Sequence, residues 1–186
     1  MLMNHEEAWL EALRADLGKP SVEGYVSELG VLFNEIDDAD RHFAGWMQPK
    51  RLNRLLPGGL EKVKFERQSY GAILIISPWN SSLNLSIMPR IGALAAGNSC
   101  FLKPSGLAPA TAQVLEDLGT DYFLPEEVTV VQGDGSVAEI LLELPWNRIF
   151  FTGSKRVGAI VHQAATRQLD HDNVRIRLCL LPQMEE

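Results

Sequence analysis

The sequence predicts an α/β fold, a doubly wound parallel sheet preceded by two amphipathic helices, and three features predict it. Residues 72–76, AILII, form an unbroken apolar run rich in branched side chains, as a parallel strand buried on both faces requires. Strand-like and helix-like segments then alternate from residue 72 to about residue 169. Ahead of them, two stretches carry apolar residues at helical spacing.

Taken in order, residues 5–17 place Trp9, Leu10, Leu13 and Leu17 on one helical face, with Gly18 and Pro20 just past the end. Ser21 can cap a longer helix in which Val22, Tyr25, Val26, Leu29, Leu32, Phe33, Ile36, Phe43 and Met47 follow a 3.6-residue period. Its other face carries Glu28, Asp37, Asp38 and Asp40, acidic groups expected to be solvated. Pro49 ends it. Residues 50–68 read as a connector, with a turn at Pro57, Gly58 and Gly59 and one short strand near 63–66.

The strand at 72–76 stops before Pro78, and Leu85, Met88, Ile91, Leu94 and Ala95 then recur at helical spacing up to Gly97. Pro89 is expected in the first turn of that helix, where a missing N–H costs little. Residues 99–102 are a second strand, closed by Pro104, and the crossover should be right-handed. Further helices are predicted over 108–118, 137–144 and 154–169, with strands over 128–131 and 148–151. The tail, 174–181, sets Arg175 and Arg177 against Val174, Ile176 and Leu178, a period of two suited to a strand covering the sheet edge. The chain thus divides into a helical arm (1–50), an α/β unit (51–169) and a tail (170–186).

A net charge of −7 and a pI near 5.1 argue against a nucleic-acid or anionic-membrane surface. No apolar run approaches a membrane-spanning length, so no membrane segment is expected. Two cysteines, Cys100 and Cys179, make no disulfide framework and fit a cytoplasmic setting; both lie in apolar, strand-like surroundings that suit packed thiols. His5, His42, His162 and His171 have no ligand spacing, so no metal site is expected.

Several residues follow strand ends, where ligands of open α/β sheets gather. On the residues alone, Asn80 caps the turn after Pro78 and Trp79, Lys103 is a surface lysine leaving a strand, and Gly153 and Ser154 make a plain strand-to-helix turn.

Four strings, PWN (78–80), GALAAGN (92–98), LKPS (102–105) and FFTGSKRVG (150–158), fall in this order on the predicted elements. Together they resemble the aldehyde dehydrogenase superfamily, over roughly residues 5–169. GKP (18–20) and WMQPKR (46–51) resemble most closely its class 3, fatty-aldehyde branch. The resemblance implies a Rossmann-like domain, here partial over 51–169, that binds NAD or NADP. The implied chemistry is oxidation of a small-molecule aldehyde to a carboxylic acid by hydride transfer to nicotinamide. It implies that the Asn80 amide joins an oxyanion hole, and that Ser77, Pro78 and Trp79 border the cofactor. Lys103 and Ser105 would serve the ribose end, Gly153 and Ser154 the pyrophosphate at a helix N-terminus, and Gly158 close helix packing. Gly133 and Gly135, in the QGDG turn, are softer candidates for close cofactor approach, with Asp134 an opposing charge.

Gly106 is a departure: the family usually has a glutamate there that binds the adenosine ribose. Its loss removes a carboxylate that would repel a 2′-phosphate, which either relaxes the choice toward NADP or weakens cofactor binding altogether. The general-base ELGG string and a glycine-flanked nucleophilic cysteine are not found, and residues 170–186 diverge from the family pattern, so the catalytic domain is expected to be absent. The alternative expectation is a non-catalytic module that binds a nucleotide or associates with a full-length relative, or a truncated product with no function of its own.

Overall fold

The computed structural model describes the backbone of residues 1–56, 59–167 and 175–180, and the side chains of residues 1–50 and 64–167. α1 (Glu6–Leu17) buries Trp9, Ala12 and Leu13 and is closed by Gly18, whose N–H donates to Arg14 O at 2.9 Å. The second predicted helix is not uniform. α2 (Ser21–Gly24) passes through a π-helical turn, Tyr25–Leu29, into α3 (Gly30–Met47). The wider turn places two consecutive residues, Glu28 and Leu29, inside, and it breaks the phase of the apolar stripe. Leu29 and Leu32 are fully buried, whereas Val22, Tyr25, Val26, Ile36, Phe43 and Met47 are exposed.

Residues 50–65 form more than the sequence predicts. β1 (Lys50–Leu56) and β2 (Gly59–Phe65) pair antiparallel as a two-stranded hairpin, Leu52 opposite Val63. Neither segment alternates cleanly, so only the pairing reveals the strands.

From Ala72 onward the predicted alternation holds: β3 (Ala72–Ile76), α4 (Asn84–Ala95), β4 (Ser99–Lys103), α5 (Pro109–Tyr122), β5 (Val128–Val130), α6 (Gly135–Leu142), β6 (Arg148–Gly153), α7 (Lys155–Arg167) and β7 (Arg175–Leu180). Every pair in this sheet is parallel, in the order β5-β4-β3-β6-β7, and the tail segment indeed pairs as a strand beside β6. β3 shows why its sequence is apolar at every position. Ile73 and Ile75 join a core with Trp9, Leu13, Leu32, Ile87 and Leu115, while Leu74 and Ile76 join Leu141, Trp146, Phe151 and Val161 on the opposite face.

Pro89 lies in the second turn of α4, because the helix begins at Asn84; there it removes the bond that a residue 89 amide would give to the Leu85 carbonyl. After α4 the chain turns at Gly97 (φ 74°), and Asn98 locks the turn. Its Oδ1 accepts from the N–H groups of Tyr70 (2.6 Å) and Gly71 (3.1 Å), and its Nδ2 donates to Ala93 O (2.9 Å). The GN of GALAAGN is therefore a structural clasp on the start of β3.

Strands β3, β4 and β5 step outward in one direction, and the chain then returns across β3 to place β6 and β7 on its other side. That reversal creates a switch point between β3 and β6, the place where open α/β sheets bind ligands at their carboxyl ends.

Candidate functional site

A parallel sheet brings the carboxyl ends of all its strands to one edge, so the sequence candidates converge there for a topological reason. Residues 77–80 follow β3, and Gly153 ends β6 with Ser154 just after it, the two segments that flank the switch point. Lys103 is the last residue of β4 and Ser105 follows it, and Gly133 follows β5. Gly158 lies elsewhere, buried within α7.

Asn80 sits half-buried in the turn between β3 and α4, with its Oδ1 buried and unbonded. Among the described residues, nothing takes a hydrogen bond from its Nδ2, so the amide retains a donor for a ligand. Ser77 is buried, its Oγ 2.6 Å from Ser86 Oγ, and so braces the loop against α4; Pro78 is half-buried and Trp79 exposed.

The turn is also held from the helical arm. Lys19 Nζ donates to Asn80 O (3.3 Å) and to Glu28 Oε1 (2.5 Å), while Glu28 Oε2 accepts from the N–H of Asn84, the first residue of α4 (2.7 Å). Glu28 is thus fully buried, contrary to its expected place on a solvated face. Its role was not legible because the π turn rotates it inward and both its partners come from other elements.

Lys103 joins the loops after β4 and β5. Its Nζ, on a side chain only 4% exposed, donates to Pro104 O (2.8 Å) and Gly133 O (2.7 Å). Burial pushes its pKa below the ordinary lysine value, and Asp134 acts in the opposite direction. Between these loops lies a cleft of about 260 Å³ bordered by Pro104, Ser105, Gly106, Gln132, Gly133 and Asp134. Asp134 caps α6: its Oδ1 accepts from Ser136 N–H (2.9 Å) and Ser136 Oγ (2.6 Å), bonds that hold its carboxyl below the usual range. A larger cleft, about 360 Å³, runs between α6 and α7 past Glu143 and Arg167, toward the opposite edge of the sheet and away from these groups.

At the end of β6, Gly153 has no room for a side chain, since an added β-carbon would lie 2.6 Å from Phe151 Cζ. Ser154 is exposed just before α7, a helix of 13 residues whose N-terminal N–H groups face the same edge.

Cys100 is fully buried in β4, and burial pushes its thiol up to about 11, with the Arg90 guanidinium opposing. It is packing, as its sequence setting indicates, whereas the side chain of Cys179 lies outside the described residues. Iodoacetamide at pH 8 should leave Cys100 unmodified in the folded chain and label it once urea unfolds the protein, read by peptide mass spectrometry; rapid native labelling would contradict its burial. Among the described residues no His, Cys, Asp and Glu cluster could hold a metal ion, and no helix is long and apolar enough to cross a membrane.

Residues 1–175 match the model of the aldehyde dehydrogenase family. The chain is 49% identical over 169 residues to a 4,4'-diapolycopene-4,4'-dial dehydrogenase of Cytobacillus firmus, covering 91% of this chain and 37% of that protein. It superposes on the substrate-bound Staphylococcus aureus AldH with a TM-score of 0.90, at 36% identity over 96% of this chain and 38% of the other. A NAD-dependent benzaldehyde dehydrogenase from Corynebacterium glutamicum follows the same fold, with a TM-score of 0.73 at 28% identity over 95% of this chain and 39% of that one. The chain therefore spans a little over a third of the length of these relatives.

Proposed function

The chain belongs to the aldehyde dehydrogenase family, and on that premise we propose that it is the dinucleotide-binding and oxyanion-stabilising part of an NAD(P)-dependent aldehyde dehydrogenase. The observation that carries this reading is Lys103, a buried ammonium that ties the loops after β4 and β5 together beside a cleft at the carboxyl edge of the sheet. The cleft suits the ribose end of a dinucleotide, because Ser105, Gln132 and Asp134 on its wall offer polar partners for hydroxyl groups and Lys103 beside it keeps one N–H beyond the two it gives to carbonyls. Ser154 Oγ accepts from Val157 N–H at 3.4 Å, and the N–H groups of Lys155 and Arg156 at the start of α7 suit a pyrophosphate in the switch-point crevice.

A bound nicotinamide supplies the hydride acceptor for oxidation of an aldehyde to a carboxylic acid. Toward that reaction, Asn80 contributes the free Nδ2 of an amide whose oxygen is buried, a donor suited to the negative charge that develops on a carbonyl oxygen. Loss of such a donor costs about 100- to 1,000-fold in rate. Cys100 is not the nucleophile, being buried and protonated at neutral pH. Oxidation of an aldehyde by the whole protein, association with a full-length relative and a cytoplasmic location belong to the same proposal. The exposed apolar side chains of Val22, Val26, Phe43 and Met47 support a partner polypeptide, and the buried, unpaired Cys100 thiol supports a reducing compartment.

Titration calorimetry of the chain with NAD and with NADP tests the reading. Saturable binding of at least one, weakened tenfold or more by Lys103→Met and little changed by Asn80→Ala, is the expected result. Absence of binding by both in a folded sample would overturn it.

A further inference from the structure

We propose that Asp134 makes the cleft between the β4 and β5 loops selective for a ribose with free hydroxyl groups, so that this chain takes NAD and rejects NADP. The inference rests on the nucleotide-binding reading above and deepens it. Three observations carry it.

First, Gly106 packs directly against the turn that carries Asp134. An added β-carbon at Gly106 would lie 3.0 Å from Gly133 O and 3.7 Å from Asp134 Cα, so the backbone of the 133–134 turn already fills the space where a residue 106 side chain would begin. Any acidic group offered to a ligand there must come from the turn itself, and Asp134 is the one acid on the cleft wall.

Second, the charges in the cleft balance without a phosphate. Lys103 lies behind the cleft wall, is buried, and already gives two of its three N–H groups to the wall carbonyls Pro104 O and Gly133 O. No arginine or lysine side chain lines the cleft itself. A 2′-phosphate would bring up to two negative charges toward the Asp134 carboxylate with at most one N–H to receive them.

Third, Asp134 is fixed in its charged form and aimed by its own cap. Both Ser136 bonds fall on Oδ1 and the Val137 N–H also acts on the carboxylate, which stays exposed at the cleft wall and open to a ligand hydroxyl. A vicinal diol satisfies the pair fully, one hydroxyl donating to that carboxylate and the other accepting from Lys103. The missing side chain at position 106 does not, on this view, open the site to NADP.

The test is calorimetry of NAD and NADP against the chain and against Asp134→Asn, a substitution that keeps a good helix cap and so spares the fold. The wild-type chain should bind NAD at least about tenfold more tightly than NADP at low salt, with the gap shrinking as ionic strength rises. Asp134→Asn, checked as folded by circular dichroism, should bring the two affinities to within about threefold, and Asp134→Ser should do the same. Equal wild-type affinities, or a gap that survives both substitutions, would overturn the role of Asp134 while leaving nucleotide binding intact. Binding of neither nucleotide would overturn both readings at once.

Discussion

Glu28→Ala should lower the unfolding free energy of the chain by about 3–5 kcal/mol, the usual loss when one member of a buried ion pair is left alone. Glu28 is fully buried and bonds Lys19 Nζ at 2.5 Å, while the Lys19 side chain is only 14% exposed. Alanine would strand that ammonium and also leave the Asn84 N–H, one of the donors at the start of α4 that no helical carbonyl can satisfy, without its partner. For a chain of this size the loss corresponds to a fall of roughly 6–20 °C in Tm. Glu28→Gln should lie between wild type and alanine, since it keeps an acceptor for Asn84 but not the charge that balances Lys19. The double substitution Lys19→Met with Glu28→Met should recover much of the loss, because an apolar pair of similar volume removes both desolvation penalties. Urea unfolding of the four proteins gives the answer, and a loss below about 1 kcal/mol for Glu28→Ala would deny the pair its structural role. The effect should reach the site as well. Lys19 also holds the carbonyl of Asn80, so hydrogen exchange in the 77–84 turn should quicken with loss of the pair.

Gly133→Ala should cost about 2–6 kcal/mol and weaken nucleotide binding together with stability. Two independent penalties combine. Gly133 has φ 140°, a backbone conformation that L-residues adopt only under strain, and an added β-carbon would lie 2.5 Å from Val137 Cγ2. The first penalty is conformational, about 1–3 kcal/mol; the second is steric, about 1–3 kcal/mol for overpacking. Pairing the substitution with Val137→Ala removes the steric part only, so the double variant should recover about half of the difference beyond what Val137→Ala costs by itself. Full recovery would show that the backbone conformation is unstrained. Binding follows stability here because Gly133 O is one of the two acceptors that hold the Lys103 ammonium; a turn that moves to admit a methyl group moves that lysine.

Much of the α/β half of the chain was legible, for a local reason. AILII can satisfy a strand with cover on both faces and little else, and its register beside SCFLK and RIFF follows from a buried run of the same kind. The candidate loops were legible too, since every parallel strand must end at the same edge and the strand ends carry the quoted strings. Residues 50–65 were read as a connector because their strands are recognised only by each other. The apolar stripe of the second helix was misplaced because one π turn shifts the phase of everything before it.

From residue 72 onward the sequence by itself determined the order of strands and helices, the apolar faces of β3, and the residues at and just past the strand ends, because these follow from periodicity and from turn-forming residues close in the chain. Only the tertiary structure decided that Glu28 is buried, that Lys19 reaches Asn80 across 61 residues, and that the 133–134 turn lies against Gly106. Those outcomes depend on which distant surfaces meet. A charge has the same identity in the chain whether its partner is water or an ammonium, and packing chooses between them.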